Sequence, residues 1–202
     1  MRAEIIKAAR EIIGNEGVDK VSIRKIAAKI EYSPAIIYHY FGNKEEIIEI
    51  LIAEDYTKIV RSLSSLQSSE KTPIEKLRES ASNFITLAVE MGDSYKSMMM
   101  NSSPTVLAHT SVLQKGAATE RSAIGFLCKS LRELPTLAKS NDSEVEMTAQ
   151  IIWSTAFGLA MRLIVEHVDE EQKRRLIDHA ADFILYALGN EQSNQKMRKQ
   201  SV

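Results

Sequence analysis

The sequence predicts an all-α protein, in which a short helix-turn-helix segment precedes a larger helical domain. Three observations carry that reading. Apolar residues recur three and four positions apart wherever a segment is long enough to show a period. Capping residues (Ser, Thr, Asn, Asp) stand ahead of these segments, and Gly or Pro punctuates their ends. No stretch alternates apolar and polar side chains as a half-buried strand does. At 202 residues, with 44% hydrophobic and 26% charged residues, the chain is long enough for one or two small domains with a real core.

The first helix is expected over residues 2–13, with Ile5, Ile6, Ala9, Ile12 and Ile13 on one face and Gly14 to Gly17 as the stop. A second begins at Ser22, whose hydroxyl caps the following turn, and buries Ile23, Ile26, Ala27 and Ile30. About four residues of turn lead to a third helix, opened by Ser33-Pro34 because proline costs nothing at the first helical position, and stopped by Gly42. Two short helices joined by a tight turn form a helix-turn-helix, the second of which is shaped to lie in a DNA major groove.

The run Ile37-Tyr38-His39-Tyr40-Phe41-Gly42-Asn43-Lys44-Glu45-Glu46-Ile47, with Ile26-Ala27 before it and Ala8-Ala9-Arg10-Glu11 upstream, closely resembles the DNA-binding segment of the TetR family of bacterial transcriptional repressors. The likeness covers roughly the first 50 residues. It implies a three-helix DNA-binding domain, here residues 1–46, followed by a helical domain, residues 47–189, that dimerises and holds a small effector. Two positions depart from the family pattern. Glu31 stands where a glycine is usual in the turn, and must turn left-handed at some cost or reshape the turn. Pro34, Ala35 and Ile36 open the recognition helix where small or polar residues are common.

A fourth helix starts at Asn43, with Glu46 as reciprocal cap. Its apolar face runs Ile47, Ile48, Leu51, Ile52, Tyr56, Ile59, Val60, Leu63 and Leu66, long enough to join two modules mechanically. The Ser-rich stretch Ser62 to Ser69 marks the boundary. Thr72-Pro73-Ile74-Glu75 opens the next helix, through Leu77, Ala81, Phe84, Ile85 and Ala88 to Gly92. A short segment from Tyr95 to Met100 follows, then one long helix from Ser103-Pro104 to just before Pro135, and a loop over Leu137 to Asp142. Ser143 with Glu146 opens an apolar helix to about His167. Asp169 with Gln172 opens the last, which buries Leu176, Ile177, Ala180, Phe183, Ile184, Ala187 and Leu188. The tail, 190–202, is polar and expected to be disordered.

Composition narrows the function classes. The lone Cys128 excludes an internal disulfide and a Cys-pair zinc site, which fits a reducing cytoplasmic setting. The N-terminus is charged and amphipathic, unlike a secretory signal, and begins too close to the first helix for a minor-groove arm. Ile151 to Val165 is the most apolar run and is shorter than a membrane span of roughly 20 residues, so no membrane partner is expected. Net charge is −1, and residues 1–50 balance eight Lys/Arg against eight Asp/Glu. DNA binding therefore rests on local placement of charge. The four histidines lack metal-ligand spacing, and there is no phosphate loop or nucleophile elbow, so neither a metal, a cofactor nor an enzyme activity is expected.

Within the motif, Pro34, Ala35, Ile36, Tyr38 and His39 are placed to face the groove, with Ile37 and Phe41 turned inward. The first three offer no donors and read thymine methyls or shape, while His39 is the direct base reader. Ser22, Lys25, Ser33, Tyr40 and Lys44, with the Tyr38 hydroxyl, are placed for phosphates, which fix register. For the effector that the resemblance implies, Phe84, Met91, Tyr95, Met98, His109, Trp153, Phe157 and Met161 form an apolar group with a few polar handles. For the homodimer it implies, Ile184 and Leu188 lie on the last helix. The expected partners are thus operator DNA, a small apolar or amphipathic effector and a second copy of the chain. The competing reading is a helical small-molecule carrier whose motif has lost DNA binding, favoured by Glu31 and the balanced N-terminal charge.

Overall fold

The computed structural model describes residues 1–65 and 70–189, with side chains of 63–65 excepted, and these residues form an all-α protein. Leu63 and Leu66 of the expected fourth-helix face, most of the Ser-rich boundary and the polar tail lie outside the described residues or side chains. The chain divides into two compact units, Met1–Lys58 with Ala88–Ser111, and Ile59–Leu87 with Val112–Val202.

In the first unit, α1 (Arg2–Glu16), α2 (Ile23–Lys29), α3 (Pro34–Tyr38) and the start of α4 (Lys44–Ser65) surround one core. Ile5, Ile13, Ile26, Ile37, Ile47 and Leu51 are fully buried there, and Phe41 is 2% exposed. Ile23 and Ile30, expected inside, are only half-buried because α2 is just seven residues long and they sit at its two ends. Gly17 ends α1 at φ 95°, a conformation that would strain any other residue, and a single 3-10 turn, Val18–Lys20, leads to the Ser22 cap. The Ser22 hydroxyl accepts the Lys25 N–H at 3.2 Å.

Glu31 adopts φ 59°. Around it the Tyr32 N–H reaches Ala27 O at 3.0 Å and the Glu31 N–H reaches Ala28 O at 3.3 Å, the paired bonds of a Schellman ending. The turn therefore keeps its usual shape, at a cost of about 1 kcal/mol for a side chain where glycine would be free. α3 is shorter than the sequence suggests. It stops at Tyr38, and the His39 and Tyr40 N–H groups tighten onto Ile36 O and Ile37 O, at 3.2 and 2.9 Å, well before Gly42.

At α4 Asn43 caps as predicted, its Oδ1 accepting the Glu46 N–H at 2.9 Å, while Glu46 Oε2 accepts the Gly42 N–H at 2.8 Å, one residue before the cap. Arg10 clamps α1 to α4. Its guanidinium makes two bonds to Asp55, 2.7 and 2.8 Å, and one to Glu54, 2.8 Å, while Lys58 adds a 2.9 Å contact to an Asp55 carboxylate that is only 5% exposed. The remaining pieces of this unit are the end of α5 (Pro73–Met99) and α6 (Pro104–Thr110). α5 breaks at Gly92, φ 58°, where the sequence predicts a helix end. Beyond the break Ser97 Oγ accepts the Val18 N–H at 2.8 Å and Asn101 donates to Asp19 Oδ1 at 2.9 Å, while Met98 and Val106 complete the core.

The second unit holds the start of α5, α7 (Ala117–Glu120), α8 (Ser122–Arg132), α9 (Asp142–Glu166) and α10 (Glu170–Gly189). The expected Thr72–Glu75 cap opens α5. The single long helix expected from Ser103 to Pro135 is instead three, α6, α7 and α8. Gly116 takes φ 89° and breaks the run, and two side chains of α9 hold the break open. The Glu146 carboxylate accepts the Gly116 and Ala118 N–H groups at 2.8 and 2.9 Å, and the buried Gln150 amide donates to Val112 O and Gln114 O at 3.0 Å each. Because Glu146 is engaged there, α9 is capped by Asn141, whose side chain accepts the Glu144 N–H at 2.9 Å, and not by Ser143. Asp169 caps α10 as predicted, its carboxylate accepting the Gln172 N–H at 2.9 Å.

α9 spans 25 residues, so the whole helix, unlike the 151–165 run alone, is long and apolar enough to cross a membrane. One side of it, including Val145, Ala149, Ile152, Trp153, Ala156 and Ala160, is packed inside the unit as a core helix. On α10 only Ile177, Ala181 and Ile184 are buried, so Phe183 and Ala187, expected inside, face outward and Leu176, Ala180 and Leu188 are half-buried.

Candidate nucleic-acid interface and effector cavity

Ile37 and Phe41 anchor α3 to the core, which leaves the rest of the segment on the surface. Ser33, Pro34, Ala35, Tyr38, His39 and Tyr40 are exposed and Ile36 is half-exposed, with Tyr38 and Tyr40 retaining 59% and 44% of their surface. Two exposed phenols and one imidazole at the end of α3 and in the turn just past it stand outside the core. Ser33 makes no side-chain capping bond, so its hydroxyl is free to meet a phosphate. Lys44, half-buried, opens α4 beside this row.

The cations of α2 are less available than their spacing suggests. The Lys25 ammonium is ion-paired with Glu16, and Lys29 with Glu11 at 2.9 Å; the Lys29 hydrogen bond holds the Glu11 carboxyl below its usual range. Lys25 thus meets a phosphate only by exchanging one anion for another. Two cations that the sequence reading passes over are better placed. Arg24 is exposed on the outer side of α2, two residues past the Ser22 cap, and Arg2 lies with its guanidinium 5.1 Å from the centre of the Phe41 ring. Tyr32, 49% exposed, adds a third phenol next to α3.

Within the second unit, α5, α8 and α9 line a small, partly open apolar pocket with a volume of about 30 Å³. α5 contributes Leu77, Ser80, Ala81 and Phe84; α8 contributes Ala123, Phe126, Leu127 and Ser130; α9 contributes Ile152, Trp153 and Ala156. Phe84 and Trp153 meet with ring centroids 4.4 Å apart and planes tilted by 43°. Of the effector candidates, these two line the cavity. Phe157 and Met161 are half-buried further along α9 and off its wall. Met91, Tyr95, Met98 and His109 belong to the first unit: Tyr95 and Met98 are buried, Met91 is half-buried and His109 is exposed. The units divide within α5 between Leu87 and Ala88, which leaves all four with the first unit and the cavity-lining part of α5 with the second. The α8 wall escapes a reading by periodicity because Ala123, Phe126 and Ser130 fall within what looks like one long helix.

Cys128 is half-buried on α8, where burial and then the nearby Glu146 carboxylate push its thiol up to about 11, so it is a neutral, inert group at physiological pH. Among the described residues no cluster of His, Cys, Asp and Glu is arranged to hold a metal.

The outer side of α9 carries Met147, Ile151, Thr155, Gly158 and Val165 at helical spacing, interrupted between the last two by the exposed Arg162, and α10 carries Phe183 and Tyr186. Ile151 is 66% exposed, Phe183 58% and Tyr186 70%. Ile184, the expected interface residue, is 4% exposed and packs inside its own protomer, because the outward positions of α10 are the ones just before and two after it.

Residues 5–51 match the profile of the bacterial regulatory proteins of the tetR family. Over 76 residues the chain is 33% identical to the HTH-type transcriptional regulator BetI of Brucella canis, a stretch that is 38% of this chain and 38% of that protein. The BetI of Rhizobium meliloti is 30% identical over 76 residues, 38% of this chain and 37% of the relative. The sequence likeness thus spans well under half of these relatives' length. Solved structures extend the likeness of fold to most of the chain. PfmR, a TetR family transcriptional regulator from Thermus thermophilus, superposes with a TM-score of 0.67 at 18% identity, covering 90% of this chain and 97% of that one. The fatty acid degradation regulator FadR from Bacillus halodurans gives 0.64 at 17% identity, covering 91% and 94%.

Proposed function

We propose that the chain, whose residues 5–51 match the tetR family profile, is a tetR-family regulator: a cytoplasmic, homodimeric transcriptional repressor that leaves its operator when a small molecule enters the cavity of the second unit. In this reading residues 1–46 bind DNA, and residues 47–189 dimerise and take the effector. The observation that carries it is the exposed Tyr38-His39-Tyr40 run at the end of α3 and just beyond it, flanked by Ile37 and Phe41, which are locked in the core. Phenols and Lys44 hold phosphates and fix register; His39 reads a base edge. The regular Schellman turn at Glu31 supports a working motif over a degenerate one.

Two helices pass along the chain from one unit to the other, and only α5 contributes to the cavity wall. α4 runs on from the motif. α5 begins with cavity wall, Leu77 to Phe84, and past Gly92 ends in Ser97, which holds the Val18 N–H. A dimer reads half-sites about one DNA turn apart, roughly 34 to 36 Å, so a small tilt of either helix breaks simultaneous docking. An effector shifts the balance only by its preference for the non-binding spacing, and a hundredfold preference corresponds to about 2.7 kcal/mol.

The test is a mobility-shift titration of the purified protein against DNA upstream of its own gene. The expected result is a complex of two protomers per site, at least a hundredfold tighter than on random duplex. Equal affinity for both duplexes would leave a ligand carrier as the function.

A further inference from the structure

From the chemistry of the cavity wall, and resting on the effector reading above, we infer that the ligand is an uncharged molecule: an apolar body carrying one hydroxyl or carbonyl group. None of the described residues lining the cavity is ionisable at neutral pH. Three aromatic rings, Phe84, Phe126 and Trp153, face aliphatic side chains across it, and the wall's hydrogen-bonding side chains besides the indole are the hydroxyls of Ser80 and Ser130. Ser130 donates to Phe126 O at 3.2 Å, which leaves its oxygen lone pairs to accept from a ligand. Ser80 is half-buried and makes no hydrogen bond among the described residues, so it serves as donor or acceptor.

A charged group drawn into such a wall would lose its water and find no counter-ion, a cost that outweighs what two hydroxyls return. A hydroxyl or carbonyl loses far less and recovers it in one or two bonds. The sharpest rival is an anion, because the Lys129 ammonium stands 5.7 Å from the centre of the Phe126 ring. Lys129 is exposed, however, and an anion meeting it stays in water, where such a contact adds little to affinity.

Trp153 is the chain's single tryptophan and sits on the wall, so its fluorescence reports occupancy without a label. The wild-type protein is titrated at pH 8 with 1-decanol, decanoate and decyltrimethylammonium, which share one tail and differ in head group. The expected result is a saturable change with decanol at a concentration at least tenfold below that needed for either ion. The double variant Ser80→Ala, Ser130→Ala should weaken decanol about tenfold and leave the ions unchanged. Decanoate or the ammonium binding as tightly as decanol overturns the uncharged class while sparing the effector cavity. Silence from all three, with decanol also failing to release bound DNA, overturns the cavity as an effector site and this inference with it.

Discussion

Arg10→Ala is expected to lower the unfolding free energy by about 3 kcal/mol, the usual result of removing one partner from a buried ion pair. The Asp55 carboxylate is 5% exposed and accepts two bonds from one guanidinium nitrogen, Nη1, which offset its desolvation. Lys58 remains at 2.9 Å but is half-exposed and offers a single point charge. Arg10→Lys should therefore recover only part of the loss, because a lysine cannot meet Asp55 and Glu54 through two separate nitrogens as the guanidinium does. Urea denaturation followed by far-UV circular dichroism measures both, and a loss below about 0.5 kcal/mol with Arg10→Ala would mean that water screens the pair. The clamp also ties α1 to α4, so the variant should lose operator affinity at urea concentrations where it is still folded.

Ile151→Asp and Phe183→Asp are each expected to convert a dimer into folded monomers. In a two-fold interface every substitution occurs twice, so one change places two unpaired carboxylates in apolar contact, at several kcal/mol in all. Ile151 and Phe183 are 66% and 58% exposed in the protomer, so neither change disturbs its core. Ile184→Asp provides the contrast: at 4% exposure it buries a charge inside the protomer and should unfold it. Sedimentation equilibrium at micromolar concentration distinguishes the outcomes. A wild-type monomer, or an Ile151→Asp dimer as tight as wild type, would contradict the proposed interface.

The all-α class and most helix starts were legible because caps are local: Ser22, Asn43, Thr72 and Asp169 each need only a neighbour three residues on. The inner and outer faces of α3 were legible for the same reason. What failed depended on residues distant in sequence. The break between α6 and α8 is held by Glu146 and Gln150, some thirty or more residues away, and Glu146 thereby left its expected capping role. Periodicity alone could not separate Met98 of the first core from the cavity wall, since the units divide in the middle of α5, between Leu87 and Ala88, with no interruption of the apolar pattern there. On α10, Phe183 and Ile184 are adjacent and equally apolar, and only packing shows that one faces out and the other in.

The claim that α3 reads DNA is tested most directly by footprinting the protein on its operator across a salt series, with Lys44→Ala and His39→Ala beside the wild type. Two protected half-sites about one turn apart are expected. Lys44→Ala should weaken binding to all sequences and flatten the salt dependence by about one ion per protomer. His39→Ala should keep the salt slope and lose about 1 to 3 kcal/mol of discrimination at one base pair in each half-site. Identical footprints, slopes and base preferences for all three proteins would contradict that claim.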